Sequence, residues 1–314
     1  MSSAAAPRAQ RPPLVEPGQI DHHVADMAVT VAADVTLGAL HERLAEAGQW
    51  VALDGAPDAP LGELLQHDST GPLRLGYGGW RDLLTGVQFT GGDDELVTVG
   101  GVTVKNVAGY DLVKFMVGSH GCFGRPVSAT LRTNRRPEHA LAVTLDPDDV
   151  HIPSLIAADA PPQWLLLTPR GLRAGWLGRA REIERLAPEV RALVEVEPEL
   201  RSLKADEEER RRLLDVGTER LRIHLAPAEV RRFLREAPAR DYAADPVFGV
   251  VWMRVPERLS DVLRSVEALG GDAVWSGRDG IRAYGLSASQ RTLLERLKAR
   301  LDPNLRLPGL PFAG

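Results

Sequence analysis

Glycine crowds the stretch from Gly62 to Gly124, in three clusters: GPLRLGYGGWRD from Gly71, GGVTVKNVAGYDL from Gly100 and GSHGCFG from Gly118. A glycine loses more backbone entropy on folding than any other residue. Such density therefore marks places where the chain turns sharply or its backbone comes close to a neighbour. Where the neighbour is a ligand, loops at strand ends present N–H groups to phosphates and to the polar edge of a flavin ring. Where it is not, the same glycines serve tight β-turns. Loops of this kind bind flavins, nucleotides or sugars, or nothing, and pattern alone leaves both readings open. Arg74 and Arg81 add guanidinium groups that match a carboxylate bidentately; Arg81 has a structural alternative in pairing with Asp82 or another carboxylate. There is no strand–GxGxxG–helix unit and no GxxxxGKS/T loop, which argues against Rossmann-type nucleotide binding and nucleotide hydrolysis. No GxSxG elbow offers a hydrolase nucleophile. His22, His23, His41 and His67 are scattered, without carboxylate or cysteine neighbours at ligand spacing, so no metal or iron–sulfur site is expected on this chain.

The elements that must position these loops are legible from periodicity. Residues 1–21 read as a flexible tail, because Pro12, Pro13 and Pro17 discourage regular hydrogen bonding. Structure is expected to begin with a strand at Met27–Val31. Thr36 then caps a helix with Leu37, Leu40 and Leu44 on one face, stopped at Gly48. Trp50–Leu53 reads as a short strand and Gly55–Gly62 as a loop. Val87–Thr90 and Glu95–Val99 flank Gly91-Gly92-Asp93-Asp94, a hairpin by its turn chemistry. Asp111–Val117 forms a short helix that Asp111 can cap, and Val127–Thr133 a further strand.

The polar break Arg135-Arg136-Pro137-Glu138 is the expected domain boundary. Beyond it, strands at Leu141–Leu145, Leu165–Leu167, Leu221–Leu225 and Val247–Val255 alternate with helices, two of them opening at Pro227 and Pro256. Lys204–Val216 carries Asp206/Arg210, Glu207/Arg211 and Glu208/Arg212 at i,i+4 spacing, the pattern of a solvated helix face. No repeat of fixed period is visible. The fold class is α+β.

With 314 residues the chain is long enough for two domains, and 44% hydrophobic with 26% charged residues is the balance of a globular protein. A net charge of −5 gives no reason to expect nucleic acid as a partner. The single cysteine, Cys122, forbids an intramolecular disulfide and fits a reducing compartment. Without a signal-peptide core or a bilayer-length apolar run, a cytoplasmic location is expected, docked to a membrane only through partners.

The run Val104-Lys105-Asn106-Val107-Ala108-Gly109-Tyr110-Asp111-Leu112, followed by Lys114, Gly118-Ser119 and Gly121, resembles the signature of glycolate oxidase FAD-binding subunits. These belong to the vanillyl-alcohol oxidase and p-cresol methylhydroxylase (PCMH) flavin fold. Ser69–Pro72, then Arg74-Leu75-Gly76-Tyr77-Gly78 and Arg81-Asp82, is similar to the family's SGP…RYG…RD segment. Val29–Leu44, Gly48-Gln49-Trp50 and Asp54 resemble its strand–helix–GQW–LD unit, and Leu297–Pro308 its C-terminal end. The resemblance implies a PCMH-type FAD-binding domain over 22–137, in partial form, followed by an α+β cap-like domain over 138–314. It implies FAD contacts at Gly71, Arg74, Gly76, Tyr77, Gly101, Lys105, Asn106, Gly109, Tyr110, Asp111, Gly118, Ser119, Gly121 and Gly124. Lys105 would place a cation near the N1–C2 edge of the flavin, where it stabilises the reduced anion, or else sits at a strand end on the surface. His120 and Cys122 are of types that attach flavin covalently in the wider fold, although nothing in their spacing specifies it. No catalytic residue is assigned.

Three departures stand out. The small N-terminal subdomain that carries the family's pyrophosphate loop is expected to be lacking. The usual TIGG loop reads Pro60-Leu61-Gly62-Glu63, putting a carboxylate where an anion would lie unless the side chain turns outward. The usual GTLG is Gly121-Cys122-Phe123-Gly124, followed by Arg125-Pro126. The implied activity is oxidation of a small 2-hydroxy acid, with electrons passed to partners: a catalytic FAD subunit and an iron–sulfur subunit. The alternative is a non-catalytic companion that stabilises a catalytic FAD partner.

Overall fold

Apolar alternation in Ala28–Ala32 and Arg125–Arg132 builds the centre of a five-stranded antiparallel sheet. The computed structural model describes residues 12–102, 112–236 and 241–312. The chain divides into two units: Met1–Thr70, Gly78–Arg136 and Glu295–Leu310 in one, Gly71–Tyr77, Pro137–Leu294 and Pro311–Gly314 in the other.

The first unit contains β1 (Ile20–His23), β2 (Ala28–Ala32), α1 (Leu37–Ala45), β3 (Gln49–Trp50) and α2 (Leu61–Gln66). After α3 (Arg74–Tyr77), which is counted with the second unit, come α4 (Trp80–Leu83), β4 (Leu84–Thr90), β5 (Leu96–Gly100), α5 (Leu112–Phe115), β6 (Arg125–Arg132) and β7 (Asn134–Arg135). The sheet order is β1-β2-β6-β4-β5, and β3 pairs with β7. Val29, Val31, Val87, Ala129 and Leu131 pack against Leu40, Leu44 and Leu65. Thr36 caps α1 as expected, its Oγ1 accepting from the Ala39 amide at 3.3 Å. Thr36→Ala should therefore cost about 1 kcal/mol, read as a shifted urea midpoint of this unit.

Regular structure starts earlier than proline content suggests. Ile20–His23 pairs with Ala28–Ala32, and Val15 is buried in the core. Proline blocks ladder hydrogen bonds but not apolar burial, so the stretch from residue 12 onward is not a free tail. Trp50–Leu53 contributes only Trp50 to a ladder, and the expected Gly55–Gly62 loop already contains the first two residues of α2. The hairpin at Gly91–Asp94 forms as its turn residues require. Pro126 lies within β6 opposite Phe89, next to a register irregularity at Gln88/Phe89, where bulges tolerate a missing donor.

The second unit contains β8 (His139–Leu145), α6 (Ile152–Ile156), β9 (Trp164–Thr168), β10 (Gly171–Gly178), α7 (Ala180–Val194), β11 (Glu199–Ser202) and α8 (Leu203–Leu214). It continues with β12 (Arg220–His224), α9 (Pro227–Glu236), β13 (Tyr242–Asp245), β14 (Val250–Arg254), α10 (Leu259–Ala268), β15 (Asp272–Gly277), β16 (Gly280–Tyr284) and the first half of α11 (Ala288–Leu301), whose residues from 295 on belong to the first unit. The nine-stranded order is β11-β8-β10-β9-β13-β14-β12-β15-β16, with every pair antiparallel. Residues 139–202 form β-α-β-β-α-β in spatial order 4-1-3-2, and residues 220–277 repeat that topology. The unit is thus two split-βαβ (ferredoxin-like) halves joined edge to edge at β9–β13. No sequence period announces this, because the halves share topology and not residue pattern.

Two further differences concern α8 and α10. Pro256 lies ahead of α10, which begins at Leu259 with Arg258 as its N-cap. In α8 the pair Asp206/Arg210 is not on a solvated face: the two residues are 0% and 2% exposed. The alternating faces of β9 and β10 explain why. Leu165, Leu167, Leu172 and Trp176 point into the main core, which leaves Trp164 and Gly175 on the other face. There the Trp164 indole donates to Asp206 Oδ1 at 3.2 Å.

Candidate functional site

The last glycine cluster follows α5 as a loop of left-handed residues: Gly118 at φ +75°, His120 at +50° and Gly121 at +75°. Positive φ costs an L-residue about 1–2 kcal/mol, so two of the three positions being glycine is a backbone requirement. The loop is held by α2. The Gly118 amide donates to Leu65 O at 3.0 Å and the His120 amide to Gln66 O at 2.9 Å. The His67 and His120 rings lie 5.5 Å apart, and the Arg81 guanidinium donates to Val117 O at 3.3 Å. Arg81 thus braces the start of the loop through a backbone carbonyl, while Asp82, one of the carboxylates it was expected to pair with, accepts from the Gly79 amide.

Ser119 is 7% exposed, and its hydroxyl has no hydrogen-bond partner among the described residues. A buried polar group without a partner is costly. Cys122, next in the loop, is buried, and its thiol donates to Gly309 O at 3.1 Å. Burial pushes the Cys122 thiol upward, against the opposing charge of Lys298. Gly124 packs against Phe89 and Met116. Gly101 is buried, its amide bonded to Thr85 O at 3.1 Å.

The loop at Pro60–Glu63 opens α2 and lines a groove of about 410 Å³ with Val15, Pro17, Asp34, Gln66 and Pro126. Glu63 is exposed and itself lines the groove. The Leu61 amide is bonded to Val35 O at 2.9 Å and that of Gly62 to Ala33 O at 2.8 Å. These two donors are committed to the chain's own backbone and are not offered to a phosphate.

Gly71, Arg74, Gly76 and Tyr77 are counted with the second unit. There the Gly76 amide donates to Gln163 O at 2.9 Å. The Arg74 guanidinium lies 4.3 Å from the centre of the Phe248 ring, a cation–π contact. Near it, burial holds the Asp245 carboxyl above its usual range, although the Phe248 and Val247 amides and Arg74 oppose that shift. Burial pushes the Tyr77 phenol up to about 12, with Arg210 opposing and Glu182 adding to the shift, so it stays a neutral donor. Lys105, Asn106, Gly109, Tyr110 and Asp111 lie outside the described residues, as does the expected capping by Asp111. Among the described residues no group of three His, Cys, Asp or Glu side chains is placed to hold a metal, and no helix is long and apolar enough to cross a membrane.

A bound FAD can be tested against these residues. The unpartnered Ser119 hydroxyl, on a left-handed loop tied to α2 by backbone hydrogen bonds, fits the polar edge of a flavin. The Leu61 and Gly62 amides do not fit a pyrophosphate cradle. Sequence reasoning missed Lys298, Asp302 and Gly309 as parts of this loop's surroundings. Only the resemblance of Leu297–Pro308 to a family C-terminus hinted at the first two.

No family model matches the chain. It is 32% identical over 119 residues to the mitochondrial cytochrome-type D-lactate dehydrogenase of Arabidopsis thaliana, a match over 38% of this chain and 21% of that protein. It is 29% identical over 129 residues to glycolate oxidase subunit GlcE of Escherichia coli, covering 40% of this chain and 37% of that protein. D-2-hydroxyglutarate dehydrogenase of Xanthomonas citri matches at 32% identity over 120 residues, 38% of this chain and 25% of that protein. The chain thus spans well under half the length of these relatives. Among solved structures, alkyldihydroxyacetonephosphate synthase shares the fold with a TM-score of 0.62 at 13% identity, over 89% of this chain and 63% of that one. Over about two fifths of its length the chain is thus similar to a D-lactate dehydrogenase and a glycolate oxidase subunit, and it shares the fold of alkyldihydroxyacetonephosphate synthase.

Proposed function

We propose that this chain is an FAD-linked oxidoreductase subunit that oxidises a small 2-hydroxy acid and passes the electrons to partner subunits. The observation that carries the reading is the buried, unpartnered Ser119 hydroxyl on the Gly118–Gly124 loop, at the family's flavin motif. FAD, when bound, supplies the hydride acceptor. This chain's residues hold and orient: Ser119 meets the polar edge of the ring, and Gly118 and Gly121 permit the left-handed backbone that presents it. By resemblance, Gly101, Lys105, Asn106, Gly109, Tyr110 and Asp111 complete that surface. The unit that holds most of residues 22–137, together with 295–310, serves as the flavin domain. The naming of GlcE as a subunit of glycolate oxidase supports a multi-subunit setting, in which a catalytic FAD subunit and an iron–sulfur subunit are the proposed partners.

Purified chain should be yellow, or become so on addition of FAD, and its flavin bands should bleach when a D-2-hydroxy acid is added without oxygen. A colourless chain that ignores FAD sinks this reading. The committed Leu61 and Gly62 amides favour one other reading, a companion subunit that stabilises an FAD-bearing partner. That version expects a colourless chain that co-purifies with a flavin-containing hydroxy-acid oxidase, and turnover by the isolated chain excludes it.

A further inference from the structure

The last turn of α11 and the segment after it belong to the first unit and end against the Gly118–Gly124 loop. Lys298, only 6% exposed, stands in that last turn. Its ammonium donates to Asp302 Oδ2 at 2.6 Å, Pro308 O at 2.8 Å, Cys122 O at 2.9 Å and Leu307 O at 3.3 Å. An ammonium has three N–H donors, so these four acceptors occupy it fully. Asp302, at 0% exposure, also accepts the Arg306 amide at 2.8 Å and the Leu307 amide at 3.0 Å. Burial alone would raise the Asp302 carboxyl; the bonds from Lys298 and the two amides outweigh it and hold it at about 2. The thiol of Cys122 adds its bond to Gly309 O.

A buried ion pair is weak as a source of net stability, because desolvation offsets much of the attraction. What this one does is fix geometry. A single cation joins the Cys122 carbonyl to a carboxylate and two carbonyls in a segment far along the chain. The loop it grips is the one that carries Ser119.

We propose that Lys298 and Asp302 are positioning residues that lock the Gly118–Gly124 loop, so that the Ser119 hydroxyl and the loop backbone meet the flavin as a preformed surface. This rests on the flavin reading above. Preorganisation of this kind spares the loop its ordering cost on binding.

The test uses the full chain and exploits its single cysteine. Reaction of Cys122 with a disulfide reagent such as dithiobis-nitrobenzoate reports release of the loop without any flavin. Quenching of flavin fluorescence reports FAD affinity, and the position of the bound flavin's absorption band reports the polarity at its edge. Lys298→Met is expected to speed Cys122 modification, to weaken FAD binding by about tenfold each and to shift the band. Lys204→Met, on an exposed side chain, should change none of these. Asp302→Asn keeps the shape and repeats the test if Lys298→Met fails to fold. A folded variant whose Cys122 stays as protected as in the parent overturns the clamp. Faster modification with unchanged FAD affinity and spectrum overturns the positioning role and leaves only a structural one. If the parent chain takes up no FAD, the flavin reading fails and the positioning role falls with it, while the thiol rates still decide whether the clamp exists.

Discussion

Asp206→Ala is expected to destabilise the second unit by about 3–5 kcal/mol, the usual cost of breaking a buried ion pair from one side. The carboxylate is fully buried, ion-paired with Arg210 and hydrogen-bonded to the Trp164 indole. Removing it strips the guanidinium of that counter-charge and the indole of its acceptor in one step. Replacing both partners by apolar groups of similar volume, Asp206→Leu with Arg210→Met, should cost much less than Asp206→Ala alone and can come out neutral. Glu208→Ala, which removes only the exposed partner of Lys204, should stay within about 0.5 kcal/mol. Urea unfolding followed by the fluorescence of Trp164, Trp176, Trp252 and Trp275 reads all three. A single mutant no worse than the exposed control would refute the buried pair.

Gly100→Ala should be nearly as damaging, by about 3 kcal/mol, combining overpacking with left-handed strain. Gly100 has φ +79°, and a Cβ there would sit 2.1 Å from Thr85 O and 2.6 Å from Gly86 Cα. Both obstacles are backbone, so no rotamer change relieves them. Gly100 pairs with Gly86 at the end of the β4–β5 ladder, immediately before the family's central motif. The expected readout is loss of stability of the first unit in the absence of any flavin. A variant of parental stability that merely binds FAD less well would show that this glycine serves a ligand and not the strand pair.

That distinction bears on how the glycine-rich centre is read. Glycine density signals close approach but does not say to what. At Gly100 and Gly76 the neighbour is the chain itself, Thr85 and Gln163 respectively. At Gly118 and Gly121 the requirement is backbone conformation, with only side chains such as Asp68 and Gln66 at contact distance. Sequence alone could not separate these cases, because each leaves the same letter.

Local signals carried much of the first unit. The Thr36 cap, the Leu37/Leu40/Leu44 stripe, the Gly91–Asp94 hairpin and the strand ending near Thr133 depend on neighbours within a few residues, and all four formed as expected. Kinship was legible too, in a contiguous motif whose types and spacing are specific. Tertiary structure decided the rest. Asp206 and Arg210 look like any exposed i,i+4 pair, and only the Trp164–Gly175 face of the sheet, brought beneath α8, puts them inside. The doubling of the split-βαβ topology lies in strand order, which no residue encodes by itself. The grip of Lys298 on Cys122 O joins residues far apart in the chain. A loop's surroundings are set by whatever the fold returns to it, and that return leaves no mark on the loop's own sequence.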